Sequence, residues 1–330
     1  MGLGRFSNRI QKTCFAFALF VVGALAVRSN AAVLLNDSWA DGSRTEANLP
    51  TESPVWAGVS GTDGGSLAVT TGALQNTMGT SSRKIWTYFT SDNSAPDGNQ
   101  PHNAVTSLGV GGTLKTSVSF TLPAGATSAS TGKDFRFGIF HDPTNARVQT
   151  NSNSDSGGGF WDDATGYNVN LPLNSVGSGT NPLQVGKRTN NSSPNISATG
   201  SAYTLAPSGG AAYALSASTV YTLELLLNRV SAGQLDVTAT LKDGSTVLST
   251  LTAADTGAAF GGTAITPTLP GSGAPYSNFD QLFWRMSSAT EASQINITNF
   301  FVELTPGVPE PASLALLSFG LLGIGRRRRA

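Results

Sequence analysis

From Thr113 to Leu122 apolar and polar side chains alternate without a break. Leu114, Thr116, Val118, Phe120 and Leu122 fall on one side, and Lys115, Ser117, Ser119 and Thr121 on the other. A period of two sends successive side chains to opposite faces of an extended chain, so this stretch predicts a strand with one buried and one wet face. The pattern returns after residue 219. Thr219 to Val230, Gln234 to Lys242 and Ser245 to Leu251 are separated by Ala232-Gly233 and Asp243-Gly244, two tight-turn signals. Together they predict an antiparallel meander with Leu235, Val237, Ala239 and Leu241 on one apolar face. Such a face has to be covered by a second layer.

Other segments read the same way. Val33 to Trp39, Ser66 to Val69, Gly72 to Gln75, Lys84 to Thr90, Asp134 to His141, Gly166 to Leu171, Phe279 to Met286 and Gln294 to Leu304 all suit strands. Lys84 to Thr90 carries bulk on both faces, which predicts packing on both sides, with Trp86 and Trp284 in the core. Residues 174–218 are rich in Ser, Asn, Gly, Thr, Ala and Pro, with LQVG and AYTL as weak strands, and predict an irregular excursion or hairpin on one face. A second Gly/Pro loop covers residues 253–275. With 38 Gly, 16 Pro and only 12% charged residues, no helical stripe emerges between the two ends of the chain. The expectation is an all-β, antiparallel two-sheet jelly-roll sandwich of about ten to twelve strands, forming one domain over residues 32–304. The strand near the start, the meander and a closing strand (INITNFFVEL) that would pair beside the first resemble a laminin-G-like or concanavalin A-like sandwich. That architecture serves lectins, glycanases and scaffolds alike, so it implies no activity.

The two ends have a different character. Arg5, Arg9 and Lys12 precede the apolar run Cys14 to Val27, and Ser29-Asn30-Ala31 supplies small residues where a signal peptidase cuts. Residues 1–31 therefore predict a signal peptide cleaved after Ala31, with Ala32 as the alternative. Cys14 is the only cysteine, so the mature chain has no disulfide and no thiol chemistry. At the other end Pro309-Glu310-Pro311 is followed by the uncharged run Ala312 to Ile324 and then by Arg326, Arg327, Arg328 and Arg329. An apolar helix with a basic cluster behind it stops transfer and leaves the cluster cytoplasmic.

This order of parts, over residues 305–330, resembles the PEP-CTERM sorting signal of Gram-negative bacteria. The resemblance implies an exosortase-type processing enzyme as partner, with processing near the tripeptide. It implies an exported chain anchored transiently in the inner membrane and then delivered to the cell envelope or extracellular matrix, with exopolysaccharide as a further partner. Thirteen uncharged residues span only about 20 Å of a hydrocarbon core about 30 Å thick, so flanking residues from Val308 and snorkelling arginines have to make up the difference.

Chemistry between the ends is sparse. Removing the eight basic residues of the two ends from twenty leaves twelve against twenty acidic ones, near −8, which argues against nucleic acid and anionic lipid as partners. Glu224, Glu303, Asp134 and Asp142 do not form the closely spaced carboxylate pair of a jelly-roll glycanase, and read as solvent-face or strand-edge acids. His141-Asp142 reads as a strand end, with His102 the only other histidine. No catalytic motif is present, so no catalytic residue and no cofactor are assigned. Asp155, Asp162 and Asp163, or Asp92, Asp97 and Asn99, are the loop oxygens that could hold Ca2+. Trp161 with Asp162 and Asp163 is the candidate glycan contact. The reading is a non-catalytic exported matrix protein. The alternative is a lectin-like carbohydrate-binding module, with a jelly-roll glycoside hydrolase or lyase behind it.

Overall fold

The computed structural model of the chain describes residues 30–44, 57–58, 66–77, 83–90, 105–122, 134–141, 163–173, 183–190, 202–286 and 294–307. Among these residues there is no helix. In chain order the strands are β1 (Ala32–Asp37), β2 (Ala57–Gly58), β3 (Ser66–Thr70), β4 (Ala73–Thr77), β5 (Arg83–Tyr88), β6 (Thr106–Ser107), β7 (Thr113–Thr121), β8 (Asp134–His141), β9 (Thr165–Pro172), β10 (Gln184–Arg188), β11 (Tyr203–Leu205), β12 (Tyr221–Ser231), β13 (Gln234–Asp243), β14 (Thr246–Asp255), β15 (Ala259–Phe260), β16 (Thr263–Ala264), β17 (Asn278–Phe279), β18 (Gln281–Met286) and β19 (Gln294–Thr305). They form a ten-stranded sheet in the order β16-β15-β14-β13-β12-β7-β19-β4-β3, with β1 also on β19. A seven-stranded sheet runs β11-β10-β9-β8-β18-β5-β2, and β17 pairs with β6. The all-β antiparallel sandwich expected from the alternation is the fold observed.

The central strands are the ones with the clearest pattern. β7 lies between β12 and β19, and Leu114, Thr116, Val118 and Phe120 are buried against the opposite sheet. The meander β12-β13-β14 presents Leu223, Leu225, Leu227, Leu235, Val237, Ala239 and Leu241 to the same core, all fully buried. Each such aliphatic side chain contributes about 1.5–3 kcal/mol by leaving water. The outer face is bound instead by hydroxyl pairs across strands, Ser119 with Thr222 at 3.0 Å and Thr238 with Thr252 at 2.9 Å. β19 joins both termini of the body to this sheet: β7 runs along one edge, while β4 (at Gln294–Ile297) and β1 (at Phe300–Leu304) share the other. The closing strand thus pairs with the first.

The seven-stranded sheet is buried on both faces. Its inner face carries Phe135, Phe137, Ile139, Tyr167, Val169, Leu171 and Trp284 into the main core. Its outer face carries a second apolar layer of Trp86, Tyr88, Phe140, Tyr203 and Phe283. Gly138 and Gly166 make room for it, since a Cβ on either would come within 2.5 Å of the Phe140 ring. Lys84, Arg285 and Arg136 stand opposite one another on β5, β18 and β8 in the same cross-strand row. Burial and then the neighbouring Arg285 lower the Lys84 ammonium pKa to about 7.

Several elements differ from the sequence reading. Among the described residues nineteen segments replace ten to twelve: β2, β6, β15, β16 and β17 are two-residue pairings too short to have a period, and β10 and β11 read only as weak strands. β1 ends at Asp37, not Trp39. The Trp39 amide donates to Asp37 Oδ1 at 2.9 Å and its φ is 52°, so the chain turns there and drives the indole into the core beside Phe300. The stretch 174–218 contains a regular edge of the second sheet: β10 pairs with both β9 and β11 in continuous register. β14 runs on to Asp255, four residues beyond its expected end, and β15 and β16 occupy the expected second loop.

β10 and β14 bring a buried polar cluster between the sheets. Lys187 Nζ on β10 lies 3.1 and 2.8 Å from the two carboxylate oxygens of Asp255 on β14, with both side chains fully buried. Tyr167 on β9 donates to Asp255 Oδ2 at 2.6 Å, and the Gly257 amide donates to Oδ1 at 2.8 Å. Lys187 also donates to the Ala274 carbonyl at 2.8 Å, and the Tyr276 amide donates to the Tyr167 hydroxyl at 2.9 Å. A buried pair stripped of one member leaves an uncompensated charge. Asp255→Ala is therefore expected to destabilise the protein by about 3–5 kcal/mol in denaturant titration, whereas Thr240→Ala on the outer face should shift stability by about 0.5 kcal/mol or less.

The pH profile has two limbs. For Lys84 the folded value lies below the unfolded one, so the unfolded chain holds more protons between about pH 7 and about pH 10. Stability rises with pH across that window, and Lys84→Met should flatten the rise. Burial raises Tyr167, Tyr203, Tyr213 and Tyr276 above the ordinary phenol value. Their contribution is complete below about pH 10 and is lost as pH rises further. In a tyrosinate absorbance titration these four of the six tyrosines should ionise only as the protein unfolds.

Candidate functional site

The sequence candidates fall into three groups. Trp161, Asp162, Asp155, Asp92, Asp97, Asn99, Asp142 and His102 lie outside the described residues, as do the tripeptide Pro309, Glu310 and Pro311 and the cluster Arg326 to Arg329. Asp163 is described and half-buried, two residues before β9. Two of the strand acids are paired: Glu303 Oε2 lies 2.9 Å from Lys115 Nζ, and Glu224 forms an ion pair with Lys242 across β12 and β13. Asp134 is the first residue of β8. His141 Nδ1 lies 3.5 Å from Oδ2 of the buried Asp280, a partner 139 positions away that the sequence did not single out. Among the described residues no three His, Cys, Asp or Glu side chains converge on a point that could hold a metal ion. Also among them, no helix is long and apolar enough to cross a membrane.

The junction between the body and the tail is defined. Ala32 pairs with Leu304, so the start of β1 and the end of β19 lie side by side. Ala31 and Ala32, the residues of the expected cleavage site, are exposed. After Thr305 the chain passes against the turn at Val110–Gly112, where a side chain on Gly307 would run into the Val110 carbonyl. The expected tripeptide begins two residues later. The entry and exit of the chain therefore leave the sandwich at the same end.

A groove of about 360 Å³ lies between the open edges of the two sheets, where β11 meets β16. Thr189, Asn190, Tyr203 and Thr204 line it from the seven-stranded sheet, and Thr263 and Thr266 from the segment after β15. Thr189 and Thr204 share a hydroxyl hydrogen bond of 2.9 Å at its base, while Thr263 and Thr266 are exposed. The far wall is held by the amides of Thr268 and Leu269, which donate to the Thr189 carbonyl, and by Tyr276, whose hydroxyl donates to the Arg188 carbonyl. Lys187 reaches Ala274 in the same segment. Burial holds the Tyr203 phenol above its usual range, and the nearby Arg188 and Arg136 guanidiniums partly offset this. The lining offers hydroxyls, one amide and an aromatic ring. That set can bind polyols. Sequence reading missed the groove because its residues come from the excursion and the second loop, where Thr and Asn look like turn formers.

Comparison with known proteins adds the following. Residues 307–329 match the PEP-CTERM protein-sorting motif. That motif implies an exported protein handled by an exosortase-type enzyme and held for a time at the membrane. No curated protein matches the chain. Among solved structures, the chain is similar to the potassium-bound carbohydrate recognition domain of Emp46p, at 12% identity over 84% of this chain and 97% of that one, with a TM-score of 0.43. It is similar to the VIP36 exoplasmic/lumenal domain in its Ca2+/Man2-bound form, at 13% identity over 82% and 87%, with a TM-score of 0.43. Peanut lectin with a 9mer peptide follows at 13% identity over 84% and 98%, with a TM-score of 0.41. The likeness is one of β-sandwich architecture, and the family match is confined to the C-terminal motif.

Proposed function

We propose that this chain is an exported, non-catalytic β-sandwich. Its C-terminal segment holds it at the inner membrane until an exosortase-type enzyme processes it near Pro309-Glu310-Pro311, after which it resides in the cell envelope or extracellular matrix, associated with exopolysaccharide. The observation that carries the reading is the motif at residues 307–329 joined directly to the central strand β19. With Ala32 and Leu304 paired, signal peptide and sorting tail leave one end of the folded body, and both can meet one membrane without straining the sheet. The ion pairs that engage Glu224 and Glu303 support a non-catalytic role.

A carbohydrate-binding role is favoured by the groove, whose hydroxyl, amide and aromatic lining suits a neutral saccharide. Trp161, Asp162 and Asp163 remain the alternative contact, with Ca2+ as the ion that acidic loop oxygens would take.

Intact-mass and C-terminal peptide analysis of protein recovered from envelope and medium tests the sorting reading. A mature form running from near Ala32 to between Pro309 and Pro311 is expected, and a membrane fraction retaining Arg326 to Arg329 would make the tail a plain anchor. Binding is tested by retention on immobilised exopolysaccharide. Thr266→Val removes one hydroxyl hydrogen bond of about 1 kcal/mol and should weaken binding about fivefold. Loss of binding in Trp161→Ala with Thr266→Val unaffected would place the contact at the 161–163 loop. Reducing-sugar release from a polysaccharide panel would overturn the non-catalytic assignment.

A further inference from the structure

The tail leaves the body beside two loops that carry no charge. Thr305 on β19, Thr113 on β7 and Asn228 on β12 are cross-strand neighbours. Two residues past Thr305 stands Gly307, packed on Val110 and Gly112, and two past Asn228 stands Val230. The turn at 109–112 is clasped to the β12–β13 hairpin: the Gly111 amide donates to the Arg229 carbonyl at 2.7 Å, and the Arg229 amide donates to the Gly112 carbonyl at 3.0 Å. Gly307, Val110 and Val230 therefore share one level, and Ser231, Ala232 and Gly233 project past it, exposed. Val230 is itself 46% exposed, unusual for an aliphatic side chain at a hairpin tip. Residues 105–112, 230–235 and 256–279 contain no charged residue, in a chain that is 12% charged. They meet at this end through the β6–β17 pairing and the contact of Arg229 with the Tyr276 carbonyl. The Arg229 guanidinium is turned back onto that carbonyl and the carbonyl of Ala232. At its far end the same meander turns on Lys242-Asp243-Gly244-Ser245.

Chain length puts the uncharged end at the membrane. Glu310 is charged and belongs at or outside the hydrocarbon boundary. From Glu310 back to Gly307 is three residues, at most about 10 Å of extended chain. The headgroup layer on each side is roughly 5–7 Å thick, so while the tail spans the bilayer the last folded residues stand within or just above that layer. We infer, on the basis of the membrane-held stage proposed above, that the sandwich end built from residues 109–112 and 230–233 rests on the bilayer, with Val230 and Val110 entering the headgroup layer. The partner is the lipid surface itself. With Arg229 engaged by backbone carbonyls and no lysine in either loop, attraction to anionic headgroups plays no part and the contact is insensitive to salt. Two aliphatic side chains do not hold a domain on a membrane without a second anchor. The contact therefore lasts only as long as the tail spans, and processing near Pro309-Glu310-Pro311 frees the body. Until then it fixes the tilt of the sandwich and keeps the tripeptide at the membrane surface, within reach of a membrane-embedded enzyme.

The test uses the exported chain with its tail, reconstituted in phosphatidylcholine vesicles that carry a nitroxide quencher on the headgroup, which acts only near contact. Val230→Cys is labelled with a fluorophore and compared with Val33→Cys and Val247→Cys, which are similarly exposed. Val33 pairs with Glu303, four residues back from Gly307, and Val247 lies at the far end of the meander. The label at position 230 is expected to be quenched at least about threefold more than the other two, at low and high salt alike, and the difference is lost in a chain ending at Pro311. Equal quenching at all three sites in a chain that floats with the vesicles overturns the inference and leaves the membrane anchor standing. A chain that does not float overturns both. A difference that arises only after the processing enzyme is added assigns the surface to that enzyme and overturns the lipid contact.

Discussion

The contact of Lys187 with Asp255 is the constraint to which the rest of the sandwich is fitted. Two apolar sheets can slide over one another at little cost, because hydrophobic contact has no direction. A buried ammonium and a buried carboxylate cannot, because each loses several kcal/mol of solvation unless it meets its partner with hydrogen bonds in place. Asp255 receives bonds from Lys187, Tyr167 and the Gly257 amide, and Lys187 gives a further bond to Ala274. The seven-stranded sheet is thereby located against the ten-stranded one at the β10 and β14 ends. The segment after β14 is pinned over the core, and its outer side forms one wall of the groove.

The body and its two ends answer to different physics. The body buries aromatic layers on both faces of one sheet and shows water a surface of threonine, serine and paired charges. The two ends are apolar and basic. They meet the body where β1 and β19 lie side by side, at one end of the fold. Gly307 marks the boundary, where the backbone passes too close to Val110 for a side chain.

Legibility followed the range of the interaction. β7 and the meander could be read because one face of each is buried along its whole length, and burial writes a period of two into the residues. The same rule gave only weak strands, LQVG and AYTL, at β10 and β11. At β10 the inner face carries Lys187 beside Val185 and the outer face carries Arg188, so charge sits where a buried strand should be apolar and the signal stops short of the strand's end. Trp39 was misplaced for a different reason: an Asp two residues earlier captures its amide and ends the strand. His141 was seen, and its partner Asp280 was not, because the pairing is made across strands.

The sequence by itself determined the strand-rich body, the meander and the motif at the C-terminus, since each of these rests on neighbours in the chain or on a linear signal. Only the tertiary structure decided that Lys187, Asp255, Tyr167 and Tyr276 meet, that the edges of two sheets enclose a threonine-lined groove, and that Ala32 and Leu304 leave the body together. Tyr167 and Tyr276 are 109 positions apart, and Tyr167 and Asp255 are 88. What joins them is sheet order and register, which arise when the whole apolar surface is buried at once and which no local window of residues records.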